Sequence, residues 1–155
     1  MLFRSNATAA LALLELGRLT DDPRWTEASE RILQWLGERL RRLPQAVPHG
    51  LLALQRFREP PARLVLAGSW PGQETEVFRL AAGQVYRPDV MVTRADPRHP
   101  SAFIRSLAAQ AKTPTAFFCE GSACRPPVAK PEDLTQELRR TADRKSTRLN
   151  SSHTV

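Results

Sequence analysis

The segment Glu59-Pro60-Pro61 divides the sequence into two parts with different patterns of apolar residues. A proline disfavours the helical conformation in the residue before it, so a helix that reaches this segment has to end there. Before the two prolines, apolar residues recur at three- and four-residue spacing, whereas after them short apolar runs alternate with helical patterns. We therefore expect a helical part at residues 6–59, a small α/β part at residues 60–142, and an α/β fold class overall.

Three helices are predicted before the two prolines. Asn6–Leu19 is apolar almost all round, and Asn6 is a suitable N-cap. A helix that is apolar on every side is expected to have neighbours on every side. Asp22-Pro23 begins an amphipathic helix that extends to about Arg42, and a third helix covers about Pro48–Arg58. Because few residues join the first two helices, we expect them to form an antiparallel hairpin.

Strands and helices alternate after the two prolines. The predicted order is strand Arg63–Gly68, helix Gln73–Gln84, strand Asp89–Thr93, helix Ser101–Lys112 and strand Thr115–Cys119. Such alternation is typical of right-handed βαβ units in a parallel sheet. We therefore expect a small, mostly parallel three-stranded βαβαβ sheet that ends in a cysteine-bearing hairpin.

Cys119 and Cys124 are the two cysteines of the chain, and the segment Cys119–Cys124 suits a hairpin with a four-residue loop. Three interpretations fit the pair: free structural thiols, a reversible cross-strand disulfide, or half of a metal site with His49 and His99 as further candidate ligands. The spacing is wider than Cys-x-x-Cys, and a strand end differs from the helix N-terminus that activates a thioredoxin-type thiol. We therefore take both cysteines as redox candidates, without a thioredoxin-type active site and without a resident metal ion.

Few other residues suggest chemistry. The turn Gly68-Ser69-Trp70-Pro71-Gly72 lacks both the Gly-Lys-Ser/Thr of a P-loop and the three glycines of a dinucleotide site, so we interpret it as an ordinary turn. Glu15 lies on the apolar first helix and is a candidate for lining a cavity, although a partly exposed edge position is the commoner explanation for a lone acid. Neither Gly-x-Ser-x-Gly nor His-Glu-x-x-His occurs in the sequence. We expect no cofactor.

Both ends of the chain resemble a translated sequencing-library adapter. The tail Asp143–His153 matches over its whole length, and the head Leu2–Ser5 matches the same kind of adapter read on the other strand. The alternative for the tail is a natural basic, serine-rich disordered end. We expect residues 1–5 and 143–155 to be non-native, and the tail to be disordered.

The charge of the chain changes once these ends are set aside. The net charge of +7 falls to +4, because four basic residues and one acidic residue are removed, namely Arg4, Arg144, Lys145, Arg148 and Asp143. The remaining arginines are scattered along helices without the stacking aromatics of a single-strand binder, and no apolar run reaches eighteen residues. We expect no nucleic-acid or membrane partner and a cytoplasmic location. Arginine outnumbers lysine twenty to three, which suggests a GC-rich, bacterial source.

Three segments resemble a known family: Asn6–Ala10, Leu64–Gly68 and Pro114–Val128. They are similar to the C-terminal end of the large thioredoxin-domain-containing proteins of the spermatogenesis-associated thioredoxin-like family, and the resemblance covers nearly all of Asn6–Arg140. It implies a parent protein with an N-terminal thioredoxin-like domain and a central α/α toroid. That toroid resembles those of sugar epimerases and six-hairpin glycosidases.

The resemblance also assigns a role to each part of this chain. Residues 6–59 would be the last hairpins of the toroid, residues 60–142 a C-terminal appendage, and Asn6 would face the central cavity. We expect a structural fragment without catalysis of its own, whose partners are the missing thioredoxin-like and toroid portions of its parent chain. One alternative is a part of a carbohydrate-active toroid enzyme. A further alternative is a thiol-redox partner of the thioredoxin-like domain, acting through Cys119 and Cys124.

Overall fold

The computed structural model of the chain describes residues 2–69, 72–111 and 113–151, and the side chains of residues 4–69, 72–111 and 113–142. Its elements are α1 (Leu2–Thr20), α2 (Pro23–Arg42), a short 3-10 helix (Pro44–Ala46), α3 (Pro48–Arg58), β1 (Ala62–Ala67), α4 (Gln73–Gly83), β2 (Val90–Arg94), α5 (Ala102–Gln110), β3 (Thr115–Glu120), β4 (Ala123–Cys124) and α6 (Pro131–Ser151). The predicted α/β class is confirmed. The chain divides into two compact units: the helical unit, residues 2–61 and 98–103, and the sheet unit, which holds the described residues of 62–97 and 104–151.

Small residues bring α1 close to its two neighbours in the helical unit. Ala7 and Ala10 are fully buried, and Ser29 of α2 donates from Oγ to the carbonyl oxygen of Ala10 at 2.8 Å. Gly50 of α3 packs so tightly that an added Cβ would lie 3.1 Å from Cδ2 of Leu40. The close backbones let apolar side chains interlock at the density of a protein interior. The buried core consists of Ala7, Ala10, Leu14, Leu33, Leu36, Leu40, Val47 and Ala53.

The first helix differs from its prediction in two respects. It begins at Leu2, because residues 2–5 contain no proline or glycine that would stop it, so the prediction of Asn6 as an N-cap is wrong. Its buried positions lie on the face that contacts α2 and α3, whereas Ala12 and Leu16 are exposed. Although α1 is apolar almost all round, it is buried on one face only within this unit.

The sheet has four strands in the order β2-β1-β3-β4. Leu64 of β1 lies opposite Val92 in the parallel pair with β2 and opposite Phe118 in the antiparallel pair with β3. Alternate residues of β1 and β3 pack with α4 and α6 into one core: Leu64, Leu66, Phe78, Ala81, Ala82, Ala116, Phe118, Leu134 and Leu138. The intervening residues point to the opposite face and are also buried: Arg63, Val65, Phe117 and Cys119.

The prediction of a mostly parallel, three-stranded sheet needs two corrections. β3 runs antiparallel to β1, so among the described strands the pair β1–β2 is the parallel one, and β4 adds a fourth strand. A buried strand has the same apolar pattern whether it runs parallel or antiparallel to its neighbour. The connection through α5, from residue 95 to residue 114, is also long enough to return the chain to either end of the sheet. The direction of β3 is therefore decided by packing and not by the local pattern.

The last helix continues past the predicted end of the native sequence. Glu132 and Asp133 lie in its first turn, where acidic groups favour the helix dipole. No proline or glycine follows before Ser151, so no residue of the segment stops the helix. Positions 143–151, which the sequence predicts to be disordered, are helical, and residues 152–155 lie outside the described residues. No helix in the described part of the chain is both long and apolar enough to cross a membrane.

Candidate functional site

A disulfide bond joins Cys119 and Cys124, whose Cα atoms are 4.0 Å apart. The two residues lie directly opposite each other in the β3–β4 ladder. Gly121, in the turn between them, has a φ of 65°, a conformation that residues with a side chain rarely adopt. Of the three interpretations that the sequence leaves open, the structure contains the cross-strand disulfide, and no free cysteine occurs among the residues described. That the bond is reversible stays a prediction.

Backbone hydrogen bonds hold the hairpin on the sheet independently of the sulfur bond. The amide nitrogen of Arg125 donates to the carbonyl oxygen of Phe118 at 2.9 Å. Further along, Ala116 and Val128 exchange both of their backbone hydrogen bonds, at 2.8 and 2.9 Å. We therefore expect the two cysteines to stay close when the disulfide opens.

The two halves of the disulfide differ in exposure. Cys119 is completely buried at the end of β3, whereas Cys124 is exposed on β4. A thiolate opens a disulfide by attacking one of its two sulfur atoms, and access decides which one is attacked. If a thiol attacks this disulfide, the exposed Cys124 is the accessible sulfur, and Cys119 would be the leaving group.

A buried arginine lies beside this hairpin. Arg63 is 3% exposed and is the partner of Cys119 in the register of β1 and β3. Its Nη2 donates to the carbonyl oxygen of Gly121 at 3.3 Å, so its guanidinium reaches the turn between the two cysteines. Sequence reasoning missed Arg63 because it treated the strand as uniformly apolar. The available signal was a charged residue inside an otherwise apolar run.

A cavity of about 260 Å³ lies in the helical unit, and its charged lining residues are Glu15, Arg18, Asp21, Asp22 and Arg56. Oε1 of Glu15 lies 3.8 Å from Nε of Arg56, and Nε of Arg18 donates to a backbone carbonyl oxygen, that of Pro61, at 3.2 Å. Glu15 therefore lines this cavity with its side chain 38% exposed, and its role as a site residue of the parent stays a prediction. Asn6, the other cavity candidate, does not line this one.

Two adjacent aspartates shape the edge of this cavity. Asp21 ends α1 as a left-handed cap, with a φ of 57° and its amide N–H donating to the carbonyl of Gly17 at 2.8 Å. Asp22 caps α2 by accepting from the amide of Arg24 at 3.0 Å. The pKa of the Asp22 carboxyl is lowered from its ordinary value, chiefly because the Arg24 side chain donates to it. The sequence predicts the capping role of Asp22 but not that of Asp21. The role of Asp21 could have been inferred, because aspartate tolerates the left-handed conformation better than most residues do.

The histidines considered as metal ligands have other hydrogen-bond partners. Nδ1 of His49 lies 2.9 Å from Oγ1 of Thr8, and Nδ1 of His99 accepts from the backbone N–H of Ser101 at 3.1 Å. Among the residues that the structure describes, no three His, Cys, Asp or Glu side chains form a group able to hold a metal ion. The metal interpretation therefore has no site in this part of the chain.

The turn between β1 and α4 is held by its own contacts. Its central pair, Trp70-Pro71, lies outside the described residues. The Thr75 hydroxyl lies 2.8 Å from the carbonyl oxygens of both Ser69 and Gly72, to which it can donate. Gly68 has a φ of 144°, and an added Cβ would lie 2.4 Å from Cγ2 of Thr75. These contacts support the interpretation as an ordinary turn, with a glycine where no side chain fits.

Comparison with known proteins finds no matching family model and no significantly similar solved structure. The chain is 29% identical over 144 residues to spermatogenesis-associated protein 20 of Homo sapiens, and 26% identical over 141 residues to the same-named proteins of Rattus norvegicus and Mus musculus. Each match covers 86% of this chain and 18% of the relative, so the chain spans less than a fifth of these relatives. These relatives are mammalian and lend no support to a bacterial source. Over most of its length, this chain is similar to a short part of spermatogenesis-associated protein 20.

Proposed function

We propose that this chain is the C-terminal part of a longer thioredoxin-domain-containing protein related to spermatogenesis-associated protein 20, with a structural role and no catalysis of its own. Residues 6–59 are the last hairpins of an α/α toroid, and residues 60–142 are its α/β appendage. The short segments 1–5 and 143–155 derive from an adapter. The partner of this chain is then the rest of its own parent. A similarity that covers 86% of the chain but 18% of the relative supports this proposal.

Exposed leucines in the helical unit carry the proposal. They are Leu16 on α1, Leu43 after α2, and Leu51 and Leu52 on α3. Single exposed leucines are ordinary on a protein surface, whereas several in one small unit suggest surface that another element covers. Further helices of the parent toroid, packed beside α1 and α3, would bury them.

Dye binding and sugar binding test this proposal together. We expect the purified chain to bind anilinonaphthalene sulfonate and to show no saturable binding of monosaccharides. The double variant Leu16→Gln with Leu51→Gln should lower the dye fluorescence about twofold, because it removes exposed apolar surface. Leu80→Gln, at an exposed leucine of the sheet unit, is the matched control and should lower it less. A chain that binds no dye, or that binds a sugar saturably, would contradict the structural role.

A second candidate function is carbohydrate recognition by the parent toroid, and the cavity beside Glu15 favours it. Apolar lining combined with a few convergent polar groups is the usual composition of a small-molecule pocket, and here the ring of Phe57 lies with Glu15 and Arg56. Asn6 remains a candidate for the central cavity of the parent. If this function is correct, calorimetry should detect saturable binding of a monosaccharide that Glu15→Gln weakens at least about tenfold. Absence of binding in the unsubstituted chain would count against it.

A third candidate function is thiol–disulfide exchange with a dithiol, such as the thioredoxin-like domain expected in the parent. The bond between exposed Cys124 and buried Cys119 favours it. A thiolate of the dithiol attacks Sγ of Cys124, and Cys119 leaves as a thiolate. The second thiol of the dithiol then attacks the sulfur of the dithiol that is bonded to Cys124. A new disulfide forms within the dithiol, and Cys124 leaves and is protonated. Two electrons pass from the dithiol, which becomes a disulfide, to the cysteine pair.

Thiol counting tests this exchange. Alkylation followed by mass spectrometry should find no free thiol under mildly oxidising conditions and two after the native chain is incubated with dithiothreitol. Cys119→Ser should leave an exposed thiol at Cys124 that is alkylated at once, whereas Cys124→Ser should leave a buried thiol that reacts at least about tenfold more slowly. Two free thiols under mildly oxidising conditions would rule out the exchange.

A further inference from the structure

We propose that Arg63 is a positioning residue for the opening of the Cys119–Cys124 disulfide. Its buried guanidinium stabilises the thiolate that Cys119 becomes when an external dithiol attacks Cys124. This inference rests on the proposed thiol–disulfide exchange and names the residue that adjusts the equilibrium of that reaction.

The strand register places the guanidinium on the side of the sheet that carries the disulfide. Arg63 and Cys119 are opposite partners in the antiparallel β1–β3 pair, and directly opposite residues project from the same face of a sheet. Cys119 and Cys124 are partners in the next pair, β3–β4. The hydrogen bond from Nη2 of Arg63 to the carbonyl oxygen of Gly121 directs the guanidinium along this face towards the hairpin turn.

Burial determines how strongly this charge acts on Cys119. Arg63 is 3% exposed and Cys119 is 0% exposed, so little solvent screens the two groups from each other. Burial by itself would disfavour a thiolate at Cys119, because a charged group loses hydration there. A neighbouring arginine acts in the opposite direction, since nearby cations lower the pKa of a cysteine and stabilise its thiolate.

Arg125 and Glu120 are the other charged residues of the hairpin segment, and their contacts and exposure differ from those of Arg63. Arg125 forms ion pairs with Glu120 at 3.4 Å and with Glu137 at 3.2 Å, so two carboxylates offset its charge. Its guanidinium lies 5.7 Å from the ring centroid of Phe118, a residue that projects from the opposite face of β3 to Cys119. Glu120 is largely exposed and therefore screened by solvent. Arg63, by contrast, is buried and lies on the same face of the sheet as Cys119.

Stabilising one product thiolate changes the equilibrium of the whole exchange. In the reaction, the S–S bond between the two cysteines breaks and a new S–S bond forms between Cys124 and the dithiol. The electron pair of the broken bond stays on Sγ of Cys119. A positive charge beside that sulfur favours the reduced form and so makes the disulfide more oxidising.

The test measures the equilibrium of the disulfide with reduced and oxidised dithiothreitol, itself a dithiol, at pH 8. The 155-residue chain is compared with Arg63→Met, which removes the charge and keeps an unbranched side chain. We expect the equilibrium constant for reduction to fall about tenfold in Arg63→Met, equivalent to about 30 mV for a two-electron couple. Arg63→Lys keeps the charge and should stay within about threefold of the unsubstituted chain. Arg79→Met, at an exposed arginine of α4, removes the same charge away from the hairpin and should leave the constant unchanged.

The outcomes separate this inference from the exchange on which it rests. A native disulfide that dithiothreitol does not reduce would overturn the exchange, and the role of Arg63 with it. A disulfide that is reduced with the same constant in the unsubstituted chain and in Arg63→Met would overturn the role of Arg63 alone. Equal losses in Arg63→Met and Arg63→Lys would also overturn it, because the hydrogen bond to Gly121 would then matter and the charge would not. If Arg63→Met fails to fold by circular dichroism, Arg63→Gln replaces it with the same expected direction.

Discussion

Replacing Phe118 by alanine is expected to lower the free energy of unfolding by about 4 kcal/mol. Phe118 is 2% exposed and packs in the core that β1 and β3 form with α4 and α6. The guanidinium carbons of Arg87 and Arg125 each lie 5.7 Å from the centroid of its ring, so truncation removes two cation–π contacts as well as apolar burial. The paired backbone of β3 limits the collapse of the remaining cavity. Urea unfolding followed by circular dichroism measures the loss.

Two further variants separate the contributions of the ring. Phe118→Leu keeps most of the apolar volume and loses the aromatic face, so we expect a loss of about 1.5 kcal/mol. Tyr86→Ala makes an aromatic-to-alanine change at a side chain that is 90% exposed, and it should alter stability by less than about 0.5 kcal/mol. Similar losses for Phe118→Ala and Tyr86→Ala would contradict the position of Phe118 in the core.

Replacing Arg87 by methionine is expected to lower the free energy of unfolding by about 3 kcal/mol. Its side chain is 8% exposed and binds both carboxylate oxygens of Asp89, from Nε at 2.9 Å and from Nη2 at 3.0 Å. Its Nη1 donates to the carbonyl oxygen of Leu138 and to Oγ1 of Thr141, each at 2.6 Å. One guanidinium therefore links the segment before β2 to α6. Replacing Arg87 leaves these partly buried acceptors without their donors. Leaving one partner of a buried pair unsatisfied lowers the free energy of unfolding by more than the intact pair contributes to it.

Arg140→Met provides the matched control for Arg87→Met. Arg140 also lies in the sheet unit, but its side chain is 53% exposed, and its partner Glu137 keeps a second ion pair, with Arg125, when Arg140 is replaced. We expect this variant to change stability by less than about 1 kcal/mol. Because Arg87 also contacts the ring of Phe118, the double variant Arg87→Met with Phe118→Ala should lose at least about 0.5 kcal/mol less than the sum of the single variants. Strict additivity would show that the contact contributes nothing to stability.

Much of the fold follows from rules that act over a few residues. The Pro60-Pro61 pair ends the helical segment, Asp22 caps the second helix, and the apolar runs around Leu64 and Phe118 become strands. These predictions succeed because capping, proline geometry and strand alternation depend on neighbours in the sequence. The N-cap prediction at Asn6 fails for a related reason. A residue type that suits an N-cap does not start a helix when the residues before it are already helical, as they are before Asn6.

The candidate site is less accessible to such rules. The spacing of Cys119 and Cys124 suggests a hairpin, and the structure contains it with the disulfide closed. The difference in exposure between the two residues has no signature in the sequence, because it depends on what packs against each face of the sheet. Arg63 was missed for the same reason, since its significance arises only when β1 and β3 pair.

By itself, then, the sequence determined the class of fold, the helices and strands around the two prolines, and the short loop between the cysteines. These depend on residues that are near each other along the chain. Only the tertiary structure decided that β3 runs antiparallel to β1, that Cys119 is buried while Cys124 is exposed, and that Arg63 lies opposite Cys119. Each of these arises from contacts between segments that are distant in the sequence. Such contacts depend on how whole helices and strands bury their apolar faces against one another. That packing cannot be predicted from the pattern of a few neighbouring residues.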